Sequence, residues 1–294
     1  MLSKSGLALG VLTYSIWGFF PLYFKLFSGL ALDELLAHRV LWSVVFTLTL
    51  VLLSYGWSPM ARLMRQPRVL LKLFVSATLL AGNWLIFIYA TLNNDVLQLS
   101  LGYFINPIFN VIFGVLIFRE RLNAYASIAI ALAVMGMSVQ LLQMQEFPVL
   151  AMSVALCFSL YGVVRKGVDV EPIPGFLVET LLLLVPALLY LYLFTDFELF
   201  KLMGESTSWL VLIFLVGPVT SIPLITFSFA VQRIPYYMVG FCQYITPTMM
   251  FVWAIFLYDE HWTHLDLVTF SLVWVGIGFI VFGVFKSNWP QRYF

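Results

Sequence analysis

Long apolar runs, broken only by short polar stretches, pattern the whole chain. Ten of them approach the roughly 20 residues that an apolar helix needs to cross a bilayer. They lie near 6–27, 34–54, 69–91, 96–118, 122–142, 147–165, 174–194, 208–231, 237–257 and 264–285. None alternates as a barrel strand does, and in hydrocarbon only helices and closed barrels satisfy their own backbone. The pattern predicts an all-α integral membrane protein with ten transmembrane helices. Most connections are short, so neighbouring helices run antiparallel.

One run is unusually polar. "SLGYFINPIFN", from Ser100 to Asn110, carries a tyrosine, two asparagines and a proline, and "GFCQYITPTMM", from Gly240 to Met250, repeats the arrangement at an offset of 140. Pro107 meets Pro247, Ile105 meets Ile245 and Asn106 meets Thr246. The same offset relates Ala90 to Ala230, Glu120 to Glu260 and Gly136 to Gly276. At offsets of 144 and 145, Trp17-Gly18 resembles Tyr161-Gly162 and Glu34 resembles Glu179. These collinear matches predict two five-helix repeats, 1–143 and 144–294. Five is odd, so the second repeat is inverted, the build of many secondary transporters with a substrate site near the midplane. Pro107 and Pro247 each remove a backbone donor, and the freed carbonyls are tolerated where protein or a wet cavity answers them. Both are therefore expected to kink helices that line a central cavity. Plain helix packing by the same prolines and amides is the alternative.

Composition agrees with a bilayer as solvent. The 294 residues are 62% hydrophobic and 10% charged, against about 45–50% and 25% in soluble domains; the mean hydropathy is +1.00. A net charge of +1 argues against nucleic acid as a partner. Cys157 and Cys242 both sit in apolar runs and imply no disulfide framework, and the three histidines show no zinc spacing. The N-terminal run lacks a small-residue cleavage site and reads as a first span, not a signal peptide.

Basic residues set the orientation. Lys4, Arg62, Arg65, Arg68, Lys72, Arg119, Arg121, Arg165, Lys166, Arg233, Lys286 and Arg292 all fall on one side of the ten-span topology, which places both termini in the cytoplasm. The other side keeps only Lys25 and Lys201 in its loops, with Arg39 inside the second span.

Six stretches carry a family resemblance: "HRVLWS" (38–43), "GNWLIFIYA" (82–90), "SLGYFINP" (100–107), "YGVVRK" (161–166), "GFCQYITPT" (240–248) and "YDE" (258–260). Together they resemble the RarD branch of the EamA-type drug/metabolite transporters, over essentially the whole chain. The resemblance implies a five-plus-five inverted fold and a carrier of small metabolites in the bacterial cytoplasmic (inner) membrane, with export as its direction. One departure is local. A Gly-Glu pair common after the fourth helix of the family stands here as Arg119-Glu120, and after the ninth as Asp259-Glu260.

Ionisable and polar groups inside spans point to function by their cost. Glu34 and His38 are four apart on one helical face, with Arg39 beside them; a histidine next to a carboxylate suits proton coupling, whereas end-capping and headgroup anchoring are the plainer roles. Arg165 and Lys166 close the sixth span just before Glu179, so a pair across that loop is expected. With Lys25 and Glu34 on the other side, the pairs are candidate gates. Asn83, Trp84, Trp17, Tyr103, Asn106, Tyr161, Gln243 and Tyr244 are the candidate substrate-binding residues. Trp57, Trp262 and Trp289 fit an interfacial belt, and Gly102, Gly114, Gly136, Gly240, Gly276 and Gly278 are expected close-packing points. Enzyme motifs are absent, and neither an ATP-coupling domain nor a cofactor site is legible. The reading is a secondary transporter of a small amphiphilic metabolite, amino-acid-like or drug-like, working by alternating access as a monomer or weak dimer, with protons as the candidate coupling ion. A channel-like facilitator, or an intramembrane enzyme or lipid-handling protein, stands as the alternative.

Overall fold

The computed structural model describes residues 3–27, 30–93, 96–142, 147–194, 207–257 and 262–287, with the side chains of 92, 96–100, 207 and 287 left aside. Lys201, Asp259, Glu260, Trp289 and Arg292 lie outside the described residues.

The described residues form only helices, turns and coil. Among the described residues nine helical stretches are long and apolar enough to cross a membrane, and the helix Val96–Leu116, with an apolar stretch at Leu101–Leu116, makes the tenth span. The protein is an all-α, multi-pass membrane protein. Its first span is Lys4–Gly18 continued by Phe20–Phe24 and a 3-10 turn, Lys25–Phe27. The second to eighth are Leu32–Ser54, Pro67–Leu92, Val96–Leu116, Ala124–Leu141, Val149–Gly167, Pro172–Phe194 and Thr207–Arg233. The ninth is broken into Tyr236–Gln243 and Ile245–Leu257, and the tenth is His264–Ser287. Side-chain caps start three of these helices: Ser3 accepts from the Gly6 amide at 3.2 Å, Asn123 from the Ala126 amide at 2.8 Å, and Thr263 from the Asp266 amide at 3.2 Å.

The two expected kinks differ. Pro107 stands inside an unbroken helix, where its ring removes one helical hydrogen bond. Pro247 stands in the first turn of Ile245–Leu257, where a missing N–H leaves no helical bond unmade. The break at Tyr244 is thus what the second proline accommodates. A second break, at Phe19 just before Pro21, interrupts the first span.

The two halves of the chain interleave. The fifth span packs on the tenth, the second on the seventh, and the fourth on the ninth. The sixth lies against the third and fourth, and the first against the eighth and ninth. Glycines allow several of these approaches. A Cβ on Gly136 would meet the Thr269 backbone at 3.1 Å, and one on Gly276 the Ala129 backbone at 3.1 Å. Gly102, Gly114 and Gly240 are similarly tight, but Gly278 has open space around it and is not a packing point. Gly217 lies against the main chain of Trp42, joining the eighth span to the second.

Candidate functional site

A cavity of about 690 Å³ runs from the middle of the bundle to the end remote from Lys4 and Lys286. Its floor is polar. Asn106, halfway along the fourth span, donates to the Ala155 carbonyl at 2.8 Å, and its Oδ1 accepts from Asn110 at 3.2 Å. Asn110 also donates to Gln243 Oε1 at 2.8 Å, which joins the fourth span to the break in the ninth. Thr246, 140 positions after Asn106, donates to the Tyr14 carbonyl at 2.7 Å. Each amide is thereby fixed to a neighbouring helix while Asn106, Gln243 and Thr246 still face the cavity.

The walls are mostly aromatic. Trp17 meets Phe158 edge-on at 5.4 Å, and Phe158 packs on Phe227 at 5.2 Å. Trp84, Tyr103 and Phe87 line the wall beside them. Asn83 donates to the Val154 carbonyl at 3.0 Å, yet its Oδ1 and the Tyr103 hydroxyl have no hydrogen-bond partner among the described residues, which leaves acceptor and donor capacity for a ligand. Towards the mouth come Trp253, Trp262 and Asp266. Trp262, expected in an interfacial belt, is a rim residue as well.

Arg39 is the one cation on this wall among the described residues. Its guanidinium lies 4.8 Å from the Trp84 ring centroid and 5.2 Å from that of Phe24, and its Nε donates to Thr220 Oγ1 at 3.1 Å. No carboxylate of the described residues lies within ion-pair distance of it.

The opposite end is closed by a second arginine. Arg165 and Glu179 are both fully buried, with Nη1 and Oε1 3.3 Å apart. Arg165 Nε donates to Ser228 at 3.0 Å and Nη2 to the Pro172 carbonyl at 3.3 Å, while Ser76 donates to Glu179 at 2.5 Å. A buried pair is tolerable only when its remaining donors and acceptors are answered in this way. Gly175 makes room: a Cβ there would stand 2.7 Å from Nη1. Beside the pair, Lys166 donates to the Val231 and Ile234 carbonyls at 2.9 and 2.7 Å and lies 3.7 Å from Glu120. Glu120 in turn accepts from the amides of Tyr236 and Tyr237 at 2.6 and 3.0 Å, capping the helix that leads to Gln243. Arg119, which sets Glu120 in place, has φ +54°, a left-handed backbone that favours glycine.

Several sequence-expected residues are therefore in the cavity wall: Trp17, Asn83, Trp84, Tyr103, Asn106, Gln243 and Pro247, and Arg39 with them. Tyr161 and Tyr244 are not. Tyr161 is buried beneath the floor, stacked on Phe227 at 5.7 Å, and Tyr244 is buried with its hydroxyl 3.5 Å from the Phe104 carbonyl. Pro107 is also off the wall, turned into the packing between spans. Glu34 and His38 lie off the wall too, 3.9 Å apart, and Lys25 is exposed in its 3-10 turn. Sequence reasoning passed over Phe24, Thr220, Ser76 and Ser228; the two serines and Thr220 had one signal, a hydroxyl deep in an apolar run. Cys157 and Cys242 are free thiols, and no metal-type cluster occurs among the described residues.

No protein-family model matches the chain. Relatives do. It is 40% identical over 279 residues to the protein RarD of Salmonella typhi, covering 95% of each chain, and 38% identical over 279 residues to the protein RarD of Escherichia coli, covering 95% of this chain and 94% of that one. An uncharacterised transporter of Bacillus subtilis is 33% identical over 293 residues, 98% of this chain and 97% of its own. A solved crystal structure shares the fold, with a TM-score of 0.73 at 17% identity and 99% coverage of both chains. Near-complete overlap with such relatives, on a ten-span helical bundle around a large cavity, places this membrane transporter in the RarD family of the EamA-type drug/metabolite transporters.

Proposed function

We propose that the protein is a secondary transporter of a small amphiphilic metabolite, exporting it across the bacterial cytoplasmic membrane by alternating access. The observation that carries this is the one-sidedness of the bundle. A 690 Å³ cavity reaches one end, while the other end is shut by the buried Arg165–Glu179 pair and the Lys166–Glu120 clasp. With both termini cytoplasmic, as the basic residues favour, this is an outward-facing carrier. A pore would need both ends wet at once, and catalysis would need a nucleophile beside Glu34 and His38.

Two pairs of contacts support inverted repeats over 1–143 and 144–294. The 140-residue offset carries Ala129 to Thr269 and Gly136 to Gly276, so it exchanges the Gly136–Thr269 and Gly276–Ala129 contacts. It also carries Asn106 to Thr246, each of which donates to a carbonyl of the other repeat's first helix. The export direction comes from the family resemblance. A proton is the candidate coupling ion, with Glu34 and His38 as its carriers; an unchanged pH profile of transport in His38→Gln would remove them from that role.

Counterflow in proteoliposomes tests the reading, with labelled candidate metabolites outside and unlabelled ones trapped within. A carrier gives saturable uptake stimulated from the opposite side. Linear flux without such stimulation would mean a channel, and chemical turnover without net movement an enzyme.

A further inference from the structure

Arg39 differs from the other cations held inside the described bundle, Arg165 and Lys166, in what it lacks. Arginine has five N–H donors. At Arg39 only Nε–H meets an acceptor, Thr220 Oγ1, and the outer donors have none among the described residues. Its guanidinium is nonetheless positioned from three spans: Trp84 of the third and Phe24 of the first lie beside it, and Thr220 of the eighth holds its inner nitrogen. A bare cation held in an apolar, low-dielectric wall is costly. Here the cost is left standing at a place that a ligand can reach, since Arg39 lines the cavity.

From this geometry we infer that Arg39 is the anchor for a substrate carboxylate, and that the transported class is organic monoanions with an apolar or aromatic body. A guanidinium with its outer nitrogens free matches a carboxylate in bidentate fashion. The body of such a molecule would lie along Trp84, Trp17 and Phe158, within reach of the free Asn83 Oδ1 and Tyr103 hydroxyl. One positive charge suits one negative charge; a phosphate dianion would keep an unmatched charge among aromatic walls. A zwitterion would gain the same contact for its carboxylate, but placing an ammonium in the aromatic wall with no free counter-charge offsets that gain. Asp266 is the one carboxylate on the wall among the described residues, and its oxygens already accept from Gln140 at 3.0 Å and from Thr263 at 2.9 and 2.7 Å. This class rests on the reading of the cavity as the substrate site, and it narrows that reading from amphiphiles in general to anionic ones.

The test uses the purified full chain in phosphatidylcholine nanodiscs, with intrinsic tryptophan fluorescence as readout because Trp84 and Trp17 line the cavity. Four probes share one ring and chain: 3-phenylpropanoate, its neutral amide, phenylalanine and 3-phenylpropylammonium. The acid is expected to bind at least about tenfold tighter than the amide, the usual worth of a charge-assisted hydrogen bond, with phenylalanine no better than the amide and the amine weakest. Arg39→Gln should bring acid and amide to equal, weak affinity, and Arg39→Lys should fall between. Equal binding of acid and amide to the unmodified protein, no binding of the acid at millimolar concentration, or discrimination retained in Arg39→Gln would each overturn the inference. The probe series on the unmodified protein decides the matter even where a variant fails to fold. Loss of acid binding on adding phosphatidylglycerol would assign the site to a lipid phosphate and overturn it as well. The carrier reading fails separately: an acid that binds through Arg39 without counterflow sinks the carrier and keeps the anchor. Counterflow of another class without acid binding does the reverse.

Discussion

Two arginines inside the same bundle have opposite surroundings. Arg165 is fully buried and answered on three sides, by Glu179, Ser228 and the Pro172 carbonyl. Arg39 reaches the cavity and is answered by one hydroxyl and two aromatic rings. The difference teaches how one residue type does two jobs. A guanidinium answered at each of its three nitrogens holds helices together, and one whose outer nitrogens meet no acceptor among the described residues is available to something that is not protein.

The largest effect is expected where that contrast is broken at the closed end. Glu179→Gln leaves Arg165 buried without its counter-ion, a change that costs about 3–5 kcal/mol in comparable pairs. Thermal unfolding in detergent should show a large drop, and Arg165→Met in the same chain should restore much of it. Gly175→Ala is next. Its Cβ would press on Arg165 Nη1, and overpacking of this kind costs about 1–3 kcal/mol; Gly278→Ala, with open space around it, is the matched control that should leave the melting temperature unchanged. Arg119→Gly should act in the other direction, stabilising by up to about 1 kcal/mol as the left-handed residue before Glu120 is relieved. Arg39→Gln should change stability by no more than about 1 kcal/mol, because no protein carboxylate is orphaned by it. A loss at Arg39 as large as that at Glu179 would erase the contrast.

The sequence made the spans plain. The run at 34–54 became Leu32–Ser54, and the run at 69–91 became Pro67–Leu92, because an apolar stretch of bilayer length has few other solutions. The break at Tyr244 was not legible: a proline reads the same whether it interrupts a helix or begins one, and hydrogen bonds to neighbouring spans decide which. The cavity wall was legible only in part. Trp17-Gly18 and Tyr161-Gly162 match at an offset of 144 in the sequence, yet Trp17 lines the cavity and Tyr161 is buried beneath it. Lipid and protein interior are equally apolar, so hydrophobic periodicity does not tell a lipid-facing position from a packed one. Polar residues escaped that ambiguity, which is why Asn83, Asn106 and Gln243 stood out. Thr220, a lone hydroxyl, did not.

The seam between the fifth and tenth spans has a mechanical consequence. Ala126, Ala129, Ala133 and Gly136 present the inner stripe of one helix, and Thr269 and Gly276 meet it from the other. Alanine and glycine have no side-chain rotamers to freeze or exchange. The two backbones therefore meet at little cost in side-chain freedom, and Thr269 Oγ1 donating to the Gly136 carbonyl at 3.2 Å and Gln140 Nε2 donating to Asp266 at 3.0 Å pin their register, so the seam serves as a weld, not a bearing.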